Sequence, residues 1–161
     1  TVAIEVGLLI ACLLFMRRMA ETTQVKVIAG EIDPNEETDA EVHEERLAIP
    51  HGVEVYEING PYFFGVANKF DDLMATMEQR PKVRVIRMRR VPFIDSTGMH
   101  NLQNLCQMSH REGIHIVLSG VQPNVFSVLE KNGFCHMLGK EHICPNINVA
   151  LEKAGEIASR A

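Results

Sequence analysis

The chain has 161 residues, 46% of them hydrophobic, and carries 21 acids against 16 bases for a net charge of −5. That length suits one domain plus an appendage, since domains typically hold about 100–200 residues, and the apolar share is enough for a sizeable core. The acidic balance argues against a dedicated nucleic-acid binder, which carries a basic surplus. Four cysteines without a framework of spacings (Cys12, Cys106, Cys135 and Cys144) read as reduced thiols of a cytosolic environment.

The first residue is Thr rather than Met, which fits a piece of a longer chain. Residues 1–16 read TVAIEVGLLIACLLFM, with Glu5 the only charge and Arg17-Arg18 directly behind. The apolar run from Val6 to Met16 holds eleven residues. A complete membrane helix needs about 20. A secretory signal would place its positive charge ahead of the apolar run, not after it. Composition leaves two readings open and favours the first: a core helix docked on the domain, or the last turns of a membrane helix whose cytoplasmic side Arg17 and Arg18 mark.

Residues 20–50 read as an acidic linker. Eight acids fall between Glu31 and Glu45, interrupted by Pro34 and with few large apolar residues. Such a stretch buries too little surface to offset its ordering entropy. The glycine and ligand spacing of a calcium loop are missing.

From residue 51 to 159 the pattern is that of a domain. GVEVYEI (Gly52–Ile58) alternates as a half-buried strand does. Asn59-Gly60-Pro61 is turn chemistry, and YFFGV resumes a second short strand. Phe70, Leu73, Met74 and Met77 recur at helical spacing between Asn68 and Arg80, and Pro81 closes that segment. Val83–Met88 lacks a two-faced pattern, as befits a central strand covered on both sides. A helix follows with Met99, Leu102, Leu105, Cys106 and Ser109 on one face and Gly113 at its end. IHIVLSG (Ile114–Gly120) is a strand, Val125, Val128 and Leu129 mark a short helix, and a further short strand is expected near His136–Leu138. Ile147, Leu151, Ala154 and Ile157 stripe the final helix. The order ββαβαβα implies an α/β fold with parallel strands and right-handed crossovers.

The corner between Val83–Met88 and the next helix, DSTG, is the candidate site. The Asp95 carboxylate can cap free amides at the helix start. Ser96 and Thr97 then fall in the first turn, where the positive dipole end tolerates negative charge, including a phosphate on Ser96. Gly98 leaves the backbone bare for a partner's approach. The apolar stripe begins at Met99, so Asp95 to Gly98 is expected to be exposed. The plainer alternative is a cap with no further role. The amides from Ser96 to Met99 could also hold a nucleotide phosphate, weakly, because no Gly-rich loop is present. Arg84, Arg87, Arg89 and Arg90 read as salt-bridged sheet-edge residues or as a patch facing lipid headgroups or an acidic partner. In CHMLGKEHIC the spacing of Cys135, His136, His142 and Cys144 fits no standard zinc knuckle, so no metal is expected. No nucleophile, base and oxyanion site assemble from the sequence, and none of its motifs points to an enzyme or a cofactor.

Three stretches carry a resemblance: RMRRVPFIDSTG (Arg87–Gly98), GPYFFG (Gly60–Gly65) and EVGLLIACLLFMRRMAE (Glu5–Glu21). The first two, with the element order, resemble the STAS domain shared by anti-sigma-factor antagonists and sulfate permeases. The third resembles the end of the last membrane helix of SulP-family anion permeases. The resemblance implies a mixed central sheet of four to five strands flanked by helices, with residues 1–19 as the end of a transmembrane helix and 51–159 as the STAS domain. It implies a cytoplasmic regulatory module, at the inner membrane, of a secondary transporter of sulfate-like anions. Its partners would be its own permease domain, in a homodimeric parent, and a cytosolic protein. The alternative within the family is a free-standing anti-sigma-factor antagonist phosphorylated at Ser96. Carried over by motif, Ser96 is the phosphorylated position, with Asp95 beside it; together with the helix-start reading, Ser96 and Thr97 are the candidate regulatory positions, and Asp95, Ser96, Thr97, Gly98 and Met99 the candidate partner- or phosphate-contacting ones.

Overall fold

The computed structural model describes residues 1–28, 31–32, 47–63, 69, 72–73 and 80–160. The apolar start forms helix α1, Val2–Thr22. It does not dock as a core helix. Ten large apolar side chains between Val2 and Met16 are exposed, from 49% at Val6 to 76% at Ile4. Among the described residues no helix is long and apolar enough to cross a membrane.

One residue, Thr23, separates α1 from strand β1, Gln24–Ile28. This strand lies inside the stretch expected to be linker and corrects that boundary. β1 pairs antiparallel with β4, Val53–Asn59, in a register running from Gln24 opposite Asn59 to Ile28 opposite Val55. The acidic stretch therefore falls between two strands of one sheet rather than between helix and domain. Its ends are joined by a second, small pairing of β2 (Glu31–Ile32) with β3 (Leu47–Ala48). The acids from 33 to 45 lie outside the described residues.

The main sheet has the order β1-β4-β5-β6-β7, where β5 is Val83–Arg90, β6 is His115–Ser119 and β7 is Ile143–Cys144. β4 to β7 run parallel. Helices α2 (Ser96–Arg111), α3 (Pro123–Lys131) and α4 (Phe134–Leu138) cover one face. There Tyr56, Ile58, Ile86, Met88, Ile116 and Leu118 meet Leu102, Leu105, Val125, Leu129 and Phe134. Helix α5, Ile147–Arg160, covers the other face, packing Ile147, Leu151 and Ala154 on Val55, Val83, Val85 and Val117. Burial on both faces explains why β5 carries no alternation.

Three local expectations change. Residues 136–138 belong to helix α4, and the last short strand is Ile143–Cys144 instead. Among its described residues, the segment after Gly60 makes one isolated parallel bridge, Tyr62 to Ile94. Residues 64–66, and the helix expected over Asn68–Arg80 apart from the helical Lys69, Asp72 and Leu73 and the non-helical Arg80, lie outside the described residues. The arginines are not a sheet-edge patch: β5 is the central strand, and Arg84 and Arg87 are buried within it. Arg84 donates to Ser109 Oγ at 3.0 Å. Arg87 pairs with Glu57 across the β4–β5 register at 3.2 Å, both side chains at most 5% exposed. Glu57 is thus core, not the solvent side of a half-buried strand.

Candidate functional site

The corner forms because β5 runs out of sheet partners at Arg90 and the chain must turn into α2. Asp95 sits in extended backbone and caps the helix. Its Oδ1 accepts the Gly98 amide at 2.6 Å, and its carbonyl accepts the Met99 amide at 2.8 Å. Ser96 and Thr97 are exposed in the first turn, where sequence placed them. Asp95 is half-buried, whereas Gly98 and Met99 are buried.

The expectation that Gly98 lies bare for a partner is therefore corrected. A side chain there would meet the segment from residue 60 to 63, not solvent: an added Cβ would stand 2.1 Å from the Tyr62 carbonyl oxygen. That segment is the part of the site that local sequence does not reveal. The Tyr62 amide donates to the Phe93 carbonyl at 3.0 Å, and the Asp95 amide donates to the Tyr62 carbonyl at 3.4 Å. Phe63 meets Phe93 edge to face with ring centroids 4.6 Å apart. Phe93 remains 46% exposed. On the far side, Asn124 Nδ2 donates to the Pro92 carbonyl and Gln122 Nε2 donates to the Arg89 carbonyl at 2.8 Å. The corner is held from both flanks and presents Ser96, Thr97 and Phe93 outward.

The same segment reaches α1. Buried Thr23, which closes that helix, donates from Oγ1 to the Pro61 carbonyl at 2.8 Å, and Lys69 Nζ donates to the Thr23 carbonyl. Gly60, at φ 111°, takes a conformation that favours glycine, and a Cβ there would crowd Thr23 Cα at 3.2 Å. Helix end, turn and corner are thus consecutive neighbours at the carboxyl end of β4 and β5.

Chemically, the corner offers two exposed hydroxyls, those of Ser96 and Thr97, in the first turn of a helix. Of the amides from Ser96 to Met99, those of Gly98 and Met99 already donate to Asp95.

The family model for the STAS domain matches residues 46–150. The chain belongs to the STAS domain family. A crystal structure of a sulfate transporter family protein from Wolinella succinogenes is 42% identical, covering 70% of this chain and 93% of that one with a TM-score of 0.67. The SulP transporter STAS domain from Vibrio cholerae is 30% identical, covering 71% and 89%, with a TM-score of 0.63. Sulfate transporter 1.2 of Arabidopsis thaliana is 24% identical over 166 residues and covers 94% of this chain. The chain spans about a quarter of the length of the curated relatives it matches. Its homology is to the STAS domains of SulP-type transporters, which places it nearer to that branch than to the anti-sigma-factor antagonists.

Elsewhere in the STAS domain, a cavity of about 340 Å³ opens at the start of β6, the end opposite the corner, between Cys106, His110, His115, Met137 and His142. Among the described residues no three His, Cys, Asp or Glu side chains could share a metal ion. Burial pushes the Cys106 thiol from its ordinary 9.0 up to about 12, and it raises Cys135 and Cys144 too. Cys12 is exposed. An alkylating reagent at pH 8, read by peptide mass spectrometry, is expected to leave Cys106 unmodified until the protein unfolds. The neutral Cys106 thiol also makes the fold alkali-sensitive. Unfolded chains lose this proton near pH 9 and the folded chain near 12, so its contribution to stability is intact below pH 9 and is lost as pH rises from there.

Proposed function

We propose that this STAS domain is the carboxy-terminal regulatory domain of a SulP-type secondary transporter of sulfate-like anions, with α1 as the end of its last membrane helix. The observation that carries this reading is the junction: an apolar helix exposed on every side ends at Thr23 and becomes an edge strand without a linker. A helix that is hydrophobic all round needs an apolar environment. Val2–Met16 accounts for ~22 Å at 1.5 Å per residue, about three-quarters of a bilayer core of ~30 Å. Arg17 and Arg18 follow, as expected on the cytoplasmic side of an inner membrane. The sulfate-transporter relatives supply the substrate class.

In this role the domain is an adaptor, not a catalyst. Its partners are the permease part of a homodimeric parent and a cytosolic protein. Uptake of labelled sulfate by the full-length parent, with and without the residues after Thr22, tests the proposal. Removal is expected to change the uptake rate. Unchanged uptake would end the regulatory reading.

A more specific result is expected at the corner. Ser96→Glu should change folding stability by about 1 kcal/mol or less, because an anion at a helix start is favourable. It should still alter uptake by the parent. Thermal melts and uptake on the same variant separate the two effects. A variant that melts early makes Ser96 structural, and one that folds and transports normally reduces the corner to a cap.

A further inference from the structure

We propose that the end of the sheet carrying Phe63 and Phe93 rests against a bilayer surface with anionic headgroups, the two rings dipping into the interface beside α1. This rests on the reading of α1 as a membrane helix and adds the orientation of the whole domain to it.

The placement follows from connectivity. The Thr23 hydroxyl bonds to Pro61 at the carboxyl end of β4. β4 and β5 are parallel with Asn59 opposite Arg90, and the Gly60 amide donates to the Arg90 carbonyl at 3.1 Å. The strands' carboxyl ends therefore face the side from which α1 leaves. Phe63 lies two residues beyond Pro61, at most ~7 Å of extended chain, and it carries Phe93 with it at 4.6 Å. Arg18 lies five residues before Thr23, ~8 Å along the helix.

The headgroup layer on one side of a bilayer is ~5–8 Å deep, from a total thickness of ~40–45 Å around a core of ~30 Å. The distances match: with Arg18 among phosphates, the turn at Pro61 is at the level of the headgroups or just below them. Phe93 is 46% exposed on a loop held rigid by two flanking segments. A lone half-exposed ring is ordinary in water, but this one is paired with Phe63 at the level of the headgroups, where an aromatic ring is favoured. Arg18 supplies the charge complementarity to anionic lipid, while Arg17 beside it pairs with Glu21 at 3.0 Å.

The chain contains no tryptophan, so single-tryptophan variants report depth without background. The experiment uses the 161-residue chain in vesicles of phosphatidylcholine and phosphatidylglycerol, with bromine on the upper acyl carbons as quencher. Leu13→Trp reports α1, Phe93→Trp and Phe63→Trp report the ring pair, and Met137→Trp reports the opposite end of the strands. Circular dichroism establishes that each variant is folded.

The expected result is that Leu13→Trp and both ring variants lose most of their emission and shift to the blue, while Met137→Trp does neither. Quenching of Leu13→Trp without the ring variants overturns the proposed orientation and leaves α1 in the membrane, with this face reserved for a protein contact. Absence of quenching at Leu13 removes the membrane reading of α1 itself. Equal quenching at Met137 would show a domain lying on lipid without preferred orientation, which also overturns the proposal.

Discussion

A Gly98→Ala variant is expected to lose ~3 kcal/mol of folding stability or more, at the upper end of what overpacking a close contact costs. The added Cβ would stand 2.1 Å from the Tyr62 carbonyl oxygen, 2.8 Å from its Cδ1 and 3.0 Å from its carbonyl carbon. Two of those three atoms are backbone, held by hydrogen bonds to Phe93 and Asp95, so the segment cannot swing aside as a side-chain tip would. Alanine gains ~1 kcal/mol over glycine within a helix, which is too little to offset the clash. Gly155 is the internal comparison: a Cβ there meets only the Pro50 ring, at 3.3 Å, so Gly155→Ala should stay close to the parent. Urea unfolding of both variants checks this. Equal midpoints would mean the Tyr62 segment is not clamped against α2.

The second large effect is expected from the buried ion pair. Glu57→Leu leaves the Arg87 guanidinium at the centre of the sheet without its carboxylate, a loss of ~3–5 kcal/mol. Replacing both partners, Glu57→Leu with Arg87→Met, should recover much of it, because an apolar pair of similar volume does not need solvating. Chemical denaturation of the two variants decides the point. If the double variant is no more stable than the single one, the pair is holding something besides itself.

Much of the fold was legible because it depends on local pattern. The stripe Met99, Leu102, Leu105, Cys106 and Ser109 is the buried face of α2, and the run Val83–Met88, which lacks a two-faced pattern, is a strand covered on both sides. The errors share a different cause, long-range pairing. Glu57 looks like a solvent residue until Arg87 is beside it. Gly98 looks bare until Tyr62, thirty-six positions earlier, is folded against it. The strand at Gln24–Ile28 was hidden by the acids that follow, although Val25, Val27 and Ile28 in QVKVI were its signal. At His136–Leu138 the misjudgement was of period: Phe134 and Cys135 are buried as the inner side of a helical turn, and the strand lies five positions on. The exposure of Ser96 and Thr97 could be read from the sequence, since nothing distant covers them. The aromatic pair beside them could not, because Phe63 and Phe93 meet only in three dimensions.

With only Thr23 between α1 and β1, the bearing of the domain is set by helical phase and not by the length of a tether. One residue added to α1 would advance the sheet by ~1.5 Å and turn it by ~100° about the helix axis, and four would bring it nearly back into phase. Residues added between 33 and 46 would do neither. The β2–β3 stem already brings the ends of that stretch together, and doubling a closed loop costs only ~0.6 kcal/mol. The chain thus has one place where length is almost free and one where a single residue redirects everything below it.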